Sequence, residues 1–137
     1  MTFLIDGYNL MHAVGLVRVG LPAKQLAPAR TRFLDLSRRS MRMHHENLVL
    51  TREVRSVPEK QLHYVVRDHV PGITLQRLID SGHVFSGAET RATLRQVLSG
   101  LGPFHENGMA HGGVKPTNIF LTSRDRVVLG DPAPRTH

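Results

Sequence analysis

The chain has 137 residues, enough for one ordinary domain with a real core, and carries 18 Lys and Arg against 11 Asp and Glu, a formal charge of +7. The absence of cysteine excludes a disulfide framework and thiolate metal centres, and no apolar run approaches membrane-spanning length, so a membrane partner is not expected. Asp6 interrupts the N-terminal candidate for a signal segment, which makes the cytoplasm the expected compartment, and the basic balance favours anionic partners such as nucleic acid beside the plainer reading of a solvated basic surface.

Thr2 to Ile5 is a short apolar run ending at Asp6-Gly7, a strand running into a turn. A carboxylate at the end of a first strand is where open α/β sheets often place a ligand or metal. Leu4-Ile5-Asp6-Gly7-Tyr8-Asn9-Leu10 resembles the opening of the NYN ribonucleases of the PIN-like group. The resemblance runs on through Ala29 to Asp35, covers residues 1–36, and implies Asp6 as a metal ligand with Asn9 beside it. Such nucleases gather further carboxylates from later strands, and no later strand of this sequence supplies one that fits. A plain role for Asp6, capping a helix that starts near Tyr8, stands equally beside the metal role.

Val17 to Gln25 reads as loop, broken by Gly20 and Pro22. A helix is predicted over Leu26–Met43, with Ala29, Phe33 and Leu36 at inner spacing. Arg30, Arg32, Arg38, Arg39 and Arg42 crowd the remainder with Asp35 as their acidic companion. Such a face can grip phosphates, which makes nucleic acid a candidate partner beside a protein one, but little aromatic interleaving accompanies it and a solvated face is the plainer account. His44 and His45 are neighbours that point different ways, so they are read as turn residues and not as a metal pair.

Leu48–Val54 and Leu62–Val66 are predicted as two strands of a hairpin joined through Ser56 to Lys60. Thr74–Ile79 makes a short helix ended by Ser81-Gly82. Ser86-Gly87-Ala88-Glu89 has the form of a capping box, and the helix it opens carries Leu94, Val97, Leu98 and Leu101 on one stripe, read as core. Gly100, Gly102 and Pro103 are expected to weaken its last turns.

Phe104 to Ala133 is the most distinctive stretch. A tight loop holds His111, Gly112 and Gly113 let it take unusual backbone angles, and two short strands follow at Asn118–Leu121 and Arg126–Leu129. Their turn would bring Asn118 close to Asp131, an amide oxygen and a carboxylate of the hard-oxygen kind that suits Mg²⁺.

His111-Gly112-Gly113-Val114-Lys115-Pro116-Thr117-Asn118, followed by Asp131-Pro132-Ala133, resembles the catalytic loop and metal-binding strand of eukaryotic-type Ser/Thr protein kinases, with HGG for HRD and DPA for DFG. With His44-His45-Glu46-Asn47-Leu48-Val49 as the turn entering a strand, the resemblance covers residues 37–133. It implies an α+β, partial protein-kinase-like fold. That fold comprises the upper-lobe hairpin, the first helices and the catalytic-loop hairpin of the lower lobe, after an N-terminal strand-helix segment. The expected division is a segment over 1–36 and a truncated kinase-like domain over 37–137.

By the same resemblance Lys115 is the loop lysine and Asn118 and Asp131 are the metal residues; an active kinase would need a replacement base such as Asp131. The family's catalytic Asp is Gly113 here, and the position of its helix Glu falls on Leu36. Asp68-His69-Val70 takes the hinge and Arg67 the gatekeeper position, with Asp68 as the expected partner of that guanidinium. The nucleotide-binding candidates are Arg67, His69 and Lys115; the metal candidates are Asn118, Asp131 and Asp6. Glycine at the base position, and the missing phosphate-covering loop and strand Lys, lead to the expectation of no enzyme. The leading expectation is a pseudokinase acting through binding, with ATP and Mg²⁺ as weak ligands at most. An NYN-type ribonuclease using Asp6 and a Ser/Thr kinase with a degenerate loop are the alternatives.

Overall fold

Val65 and Arg67 are buried while their neighbours are less so, the period-two pattern of a strand with one face on a core. The computed structural model describes residues 2–6, 23–60 and 62–133. Those residues form two units, and the chain passes between them at residues 43–44, 49–50, 69–70 and 131–132.

The first unit holds a three-stranded antiparallel sheet and one helix. The sheet order is β1 (Thr2–Asp6), β3 (Leu62–Asp68), β2 (Thr51–Val57). β1 pairs with β3 from Thr2 opposite Asp68 to Asp6 opposite Tyr64, and β2 pairs with it as a hairpin closed by a short 3₁₀ turn at Pro58–Lys60. Helix α1 (Ala23–Ser40) buries Ala29, Phe33 and Leu36, the predicted inner positions, together with Leu34 and Ser37. It is tied to the sheet by the Ser40 and Thr51 hydroxyls, 2.9 Å apart, and by Arg67, whose Nη2 donates to Ser37 Oγ at 3.1 Å. The predicted packing of hairpin on helix is therefore present.

The second unit comprises residues 44–49 and 70–131. Its sheet runs β4 (Gly72–Thr74), β5 (Ile119–Thr122), β6 (Val127–Leu129), all antiparallel. Helix α2 (Leu75–Asp80) begins where Thr74 Oγ1 accepts from Arg77 N. Helix α3 (Gly87–Glu106) lies against β6, with Gln96 Oε1 accepting from Val127 N at 2.8 Å. The capping box is formed: Ser86 Oγ accepts from Glu89 N at 3.1 Å, and Glu89 Oε2 from Ser86 N at 2.7 Å. Ser86→Ala removes the hydroxyl half of that exchange, and a loss of about 1 kcal/mol is expected, read as a lower urea midpoint at unchanged slope.

Several expectations are corrected. α1 starts at Ala23 and ends at Ser40, not Leu26 and Met43, and it accommodates Pro28 in its second turn. The first hairpin strand starts at Thr51; Leu48 instead bridges to Leu129 in parallel within the second unit. On α3, Val97, Gly100 and Phe104 are the buried positions, so of the predicted stripe Val97 is core, Leu101 is half-buried, and Leu94 and Leu98 are 54% and 64% exposed. The helix also runs through Gly100, Gly102 and Pro103 to Glu106. Gly100 is required there, because a Cβ would sit 2.6 Å from the carbonyl oxygen of Asn47. The loop read over 17–22 and a helix starting near Tyr8 lie outside the described residues, whereas Ala23 to Gln25, also read as loop, are helical. The boundary drawn between residues 36 and 37 falls inside α1.

Candidate functional site

The loop after α3 is shaped by two glycines and a buried imidazole. Gly112 stands at φ +76°, which L side chains rarely adopt. His111 is 1% exposed, with its ring edge-on to Phe104 at 5.0 Å between centroids. Gly113 N donates to His111 Nδ1 at 3.0 Å, which fixes Nδ1 as an acceptor and leaves Nε2, 3.0 Å from Gly130 O, as the donor. This pattern of bonds places the Nε2 proton against Gly130 O.

Pro116–Asn118 then turns as a 3₁₀ segment and delivers Asn118 into the core at 7% exposure. Its Nδ2 donates to Gly113 O and to Asp131 O, each at 2.8 Å, and its Oδ1 accepts from Asp131 N at 3.0 Å. One side chain thus fixes the backbone of Asp131 from both sides and ties it to the loop. Two glycines make room for it. A Cβ at Gly130 would run into Asn118 Oδ1, and one at Gly113 would meet Asp131 O at 2.6 Å.

Asn118 and Asp131 meet through the backbone of Asp131. Amide and carboxylate oxygens are the hard donors Mg²⁺ takes, and Mg²⁺ is commonly held by one or two such groups with phosphate and water supplying the rest. Asn118 Oδ1 keeps a second lone pair beside the one given to Asp131 N. The residues therefore fit the ion. Half-buried Lys115 lies three residues before Asn118 and closes the turn with its carbonyl, which accepts from Asn118 N at 2.9 Å.

Arg67, His69 and Asp6 belong to the first unit. The guanidinium of Arg67 is 1% exposed, bonded to Ser37 and 5.9 Å from the Phe33 ring centroid, so it is built into the core between α1 and the sheet. Asp68 is not its partner: both Asp68 oxygens take a bidentate fork from Arg52, at 2.6 and 2.9 Å. The hydrogen bond from Arg52 holds the Asp68 carboxyl below its ordinary value. His69 is exposed at the end of β3.

Asp6 ends β1, an edge strand antiparallel to β3, and not a strand of an open parallel sheet. Among the described residues no group of three or more His, Cys, Asp or Glu gathers for a metal. The antiparallel edge position of β1 lends no support to the nuclease-like reading of residues 1–36. Asn47 and Gln96 were missed: Asn47 Nδ2 donates to Val127 O at 2.8 Å and to Gln96 Oε1 at 3.1 Å, joining helix, hairpin and the 44–49 segment. Their chemistry is ordinary side-chain amide bonding, which leaves no mark in sequence spacing.

A three-stranded sheet with one packed helix in the first unit, and in the second a histidine-anchored loop feeding a hairpin, define a partial protein-kinase-like fold. The chain belongs to the protein kinase domain family, whose model matches residues 36–131. The Mycobacterium tuberculosis PknI kinase domain is similar at 27% identity and TM-score 0.64, over 74% of this chain and 42% of that one. The Arabidopsis thaliana serine/threonine-protein kinase GRIK1 is 36% identical over 112 residues, 78% of this chain and 28% of the relative. The mouse eIF-2-alpha kinase GCN2 is 37% identical over 78 residues, 56% of this chain and 5% of the relative.

The chain thus spans well under half the length of the curated relatives it matches. These relatives are named as protein kinases, and they overturn the expectation that the chain is no enzyme: the family it belongs to is one of phosphotransferases. Among the described residues, no helix is long and apolar enough to cross a membrane.

Proposed function

We propose that this chain is part of a serine/threonine protein kinase and that the loop from His111 to Asp131 serves the phosphate end of its ATP. The observation that carries the reading is the three-bond attachment of Asp131 to the Asn118 amide. A backbone fixed at both N–H and C=O limits where the Asp131 carboxylate can point, which is what positioning catalysis requires. Mg²⁺, when bound by Asn118 and Asp131, supplies charge neutralisation of the phosphates. Lys115 adds a cation on the same turn. A cytoplasmic setting, where ATP is supplied, belongs to this reading, as does a protein acceptor bearing a hydroxyl.

Glycine at position 113 bears on rate more than on role. Phosphoryl transfer draws mainly on positioning and charge stabilisation, and a general base typically contributes 10²–10⁴-fold. A slow kinase is what that balance gives. The test is transfer of label from radiolabelled ATP to a generic Ser/Thr acceptor by the full protein. Transfer is expected from the parent and a loss of about 100-fold or more from Asp131→Asn. ATP binding without any transfer would overturn the reading and leave a module that acts by binding alone.

A further inference from the structure

The arginines of α1 are not used by the loop at His111–Asp131, and the structure sorts them by position. The helix turns Ala29, Phe33, Leu36 and Ser37 into the core, and Arg32, Arg38 and Arg39 are exposed, followed by exposed Arg42 in the turn after the helix. Asp35 is the acidic residue on this face, and it pairs with Arg38 at 3.5 Å. Arg32, Arg39 and Arg42 take no ion pair among the described residues. At 1.5 Å of rise per residue, Arg32 and Arg39 stand about 10 Å apart along the axis and two turns apart on one side of the helix.

A different pair of arginines on α1 acts toward the sheet. His63 of β3 is held below its ordinary value first by burial and then by the charges of Arg30 and Arg38. The arginines on that side of α1 therefore stand near enough to β3 to act on a neighbouring strand.

We propose that the outward side of α1 and the turn after it, carrying Arg32, Arg39 and Arg42, binds the phosphate backbone of a nucleic acid without reading its sequence. Three features favour that partner. The charges form a row, which suits a succession of phosphates more than one phosphorylated side chain. The apolar side of α1 is already buried in its own core, so the helix has no apolar face to lay into a lipid surface. No aromatic side chain stands among these arginines on the helix's outward face, which removes base stacking and leaves electrostatic backbone binding.

The experiment is fluorescence anisotropy of a labelled 20-nucleotide single-stranded RNA of mixed sequence with the full protein, from 50 to 200 mM salt. Three contacts predict a log–log slope near −2, a weakening of about 20-fold over that range. The triple variant Arg32→Gln/Arg39→Gln/Arg42→Gln is expected to bind at least 10-fold more weakly at low salt and to flatten the slope. The control Lys60→Gln/Arg91→Gln/Arg124→Gln removes the same charge from other exposed positions and is expected to retain binding. Matching far-UV spectra for the two variants establish that both are folded. Equal losses in both variants, absence of binding at 50 mM salt, or tighter binding to phosphatidylserine vesicles than to RNA would each overturn the proposal. Label transfer from ATP is a separate readout, so failure here leaves the kinase reading where it stands.

Discussion

Replacing Asn118 by alanine is expected to destabilise the second unit by about 3–5 kcal/mol, since three backbone groups lose their partner at roughly 1–3 kcal/mol each and water recovers part of that cost. The groups are Gly113 C=O, Asp131 C=O and Asp131 N–H. Asn118→Asp separates the contributions. It keeps an acceptor for Asp131 N but sets a carboxylate against two carbonyl oxygens that had been receiving N–H bonds, so it is expected to cost at least as much as alanine. The measurement is urea unfolding followed at both far-UV and near-UV wavelengths. A loss below about 1 kcal/mol for Asn118→Ala would show that the network is not what holds Asp131 in place.

Gly113→Asp returns a carboxylate to the position where the resembling family has one, and it is expected to harm the protein. The new Cβ would meet the carbonyl oxygen of Asp131 at 2.6 Å, with Asn118 Nδ2 at 3.0 Å and His111 Cε1 at 3.1 Å around it. Two of those neighbours are held by buried hydrogen bonds and the third is backbone, so none can yield cheaply. Overpacking of this kind costs about 1–3 kcal/mol, and a carboxylate beside a carbonyl oxygen adds electrostatic repulsion. The expected result is a lower midpoint and no gain in label transfer. Gly113→Ala carries the steric part alone and should account for most of the loss. A Gly113→Asp protein with the parent's stability and faster transfer would show that the loop had room for a base and lacked only the group.

These two positions also show what spacing in the sequence can and cannot carry. The conjunction of Asn118 and Asp131 was legible because a short hairpin brings its two ends together whatever packs around it, and the capping box at Ser86 and Glu89 was legible because it is complete within four residues. Burial was less so. Periodicity placed Leu94 and Leu98 on one side of α3 but could not say what, if anything, covers that side. The helix ran on past Gly100 and Pro103 because Val97, Gly100 and Phe104 fix it against its own unit, and packing outweighed local propensity. Arg67 was aligned to a nucleotide-facing position and lies inside the first unit with Ser37 and Phe33, while its sequence neighbour Asp68 pairs with Arg52 across the hairpin. Partner choice among charges depends on which strand face each occupies, and one residue of offset reverses the face.

Asn47 donates to the carbonyl of Val127, eighty residues further along the chain, and this separation has a consequence for how the protein is made. A ribosome adds roughly 5–20 residues per second, so segment 44–49 emerges several seconds before the strand that completes it. During that interval Leu48 and Asn47 have neither Leu129 nor Val127 to bond, and α3 has no β6 to lie against. The first unit is different, since its hairpin and helix are all synthesised by residue 69. Assembly of the nascent chain is therefore ordered in time: the first unit gains its sheet early, and the second closes in one late step that joins its earliest segment to its last strand. Stalling translation between those two points would hold the second unit open, with Leu48 and Val97 exposed to whatever chaperone waits at the tunnel exit.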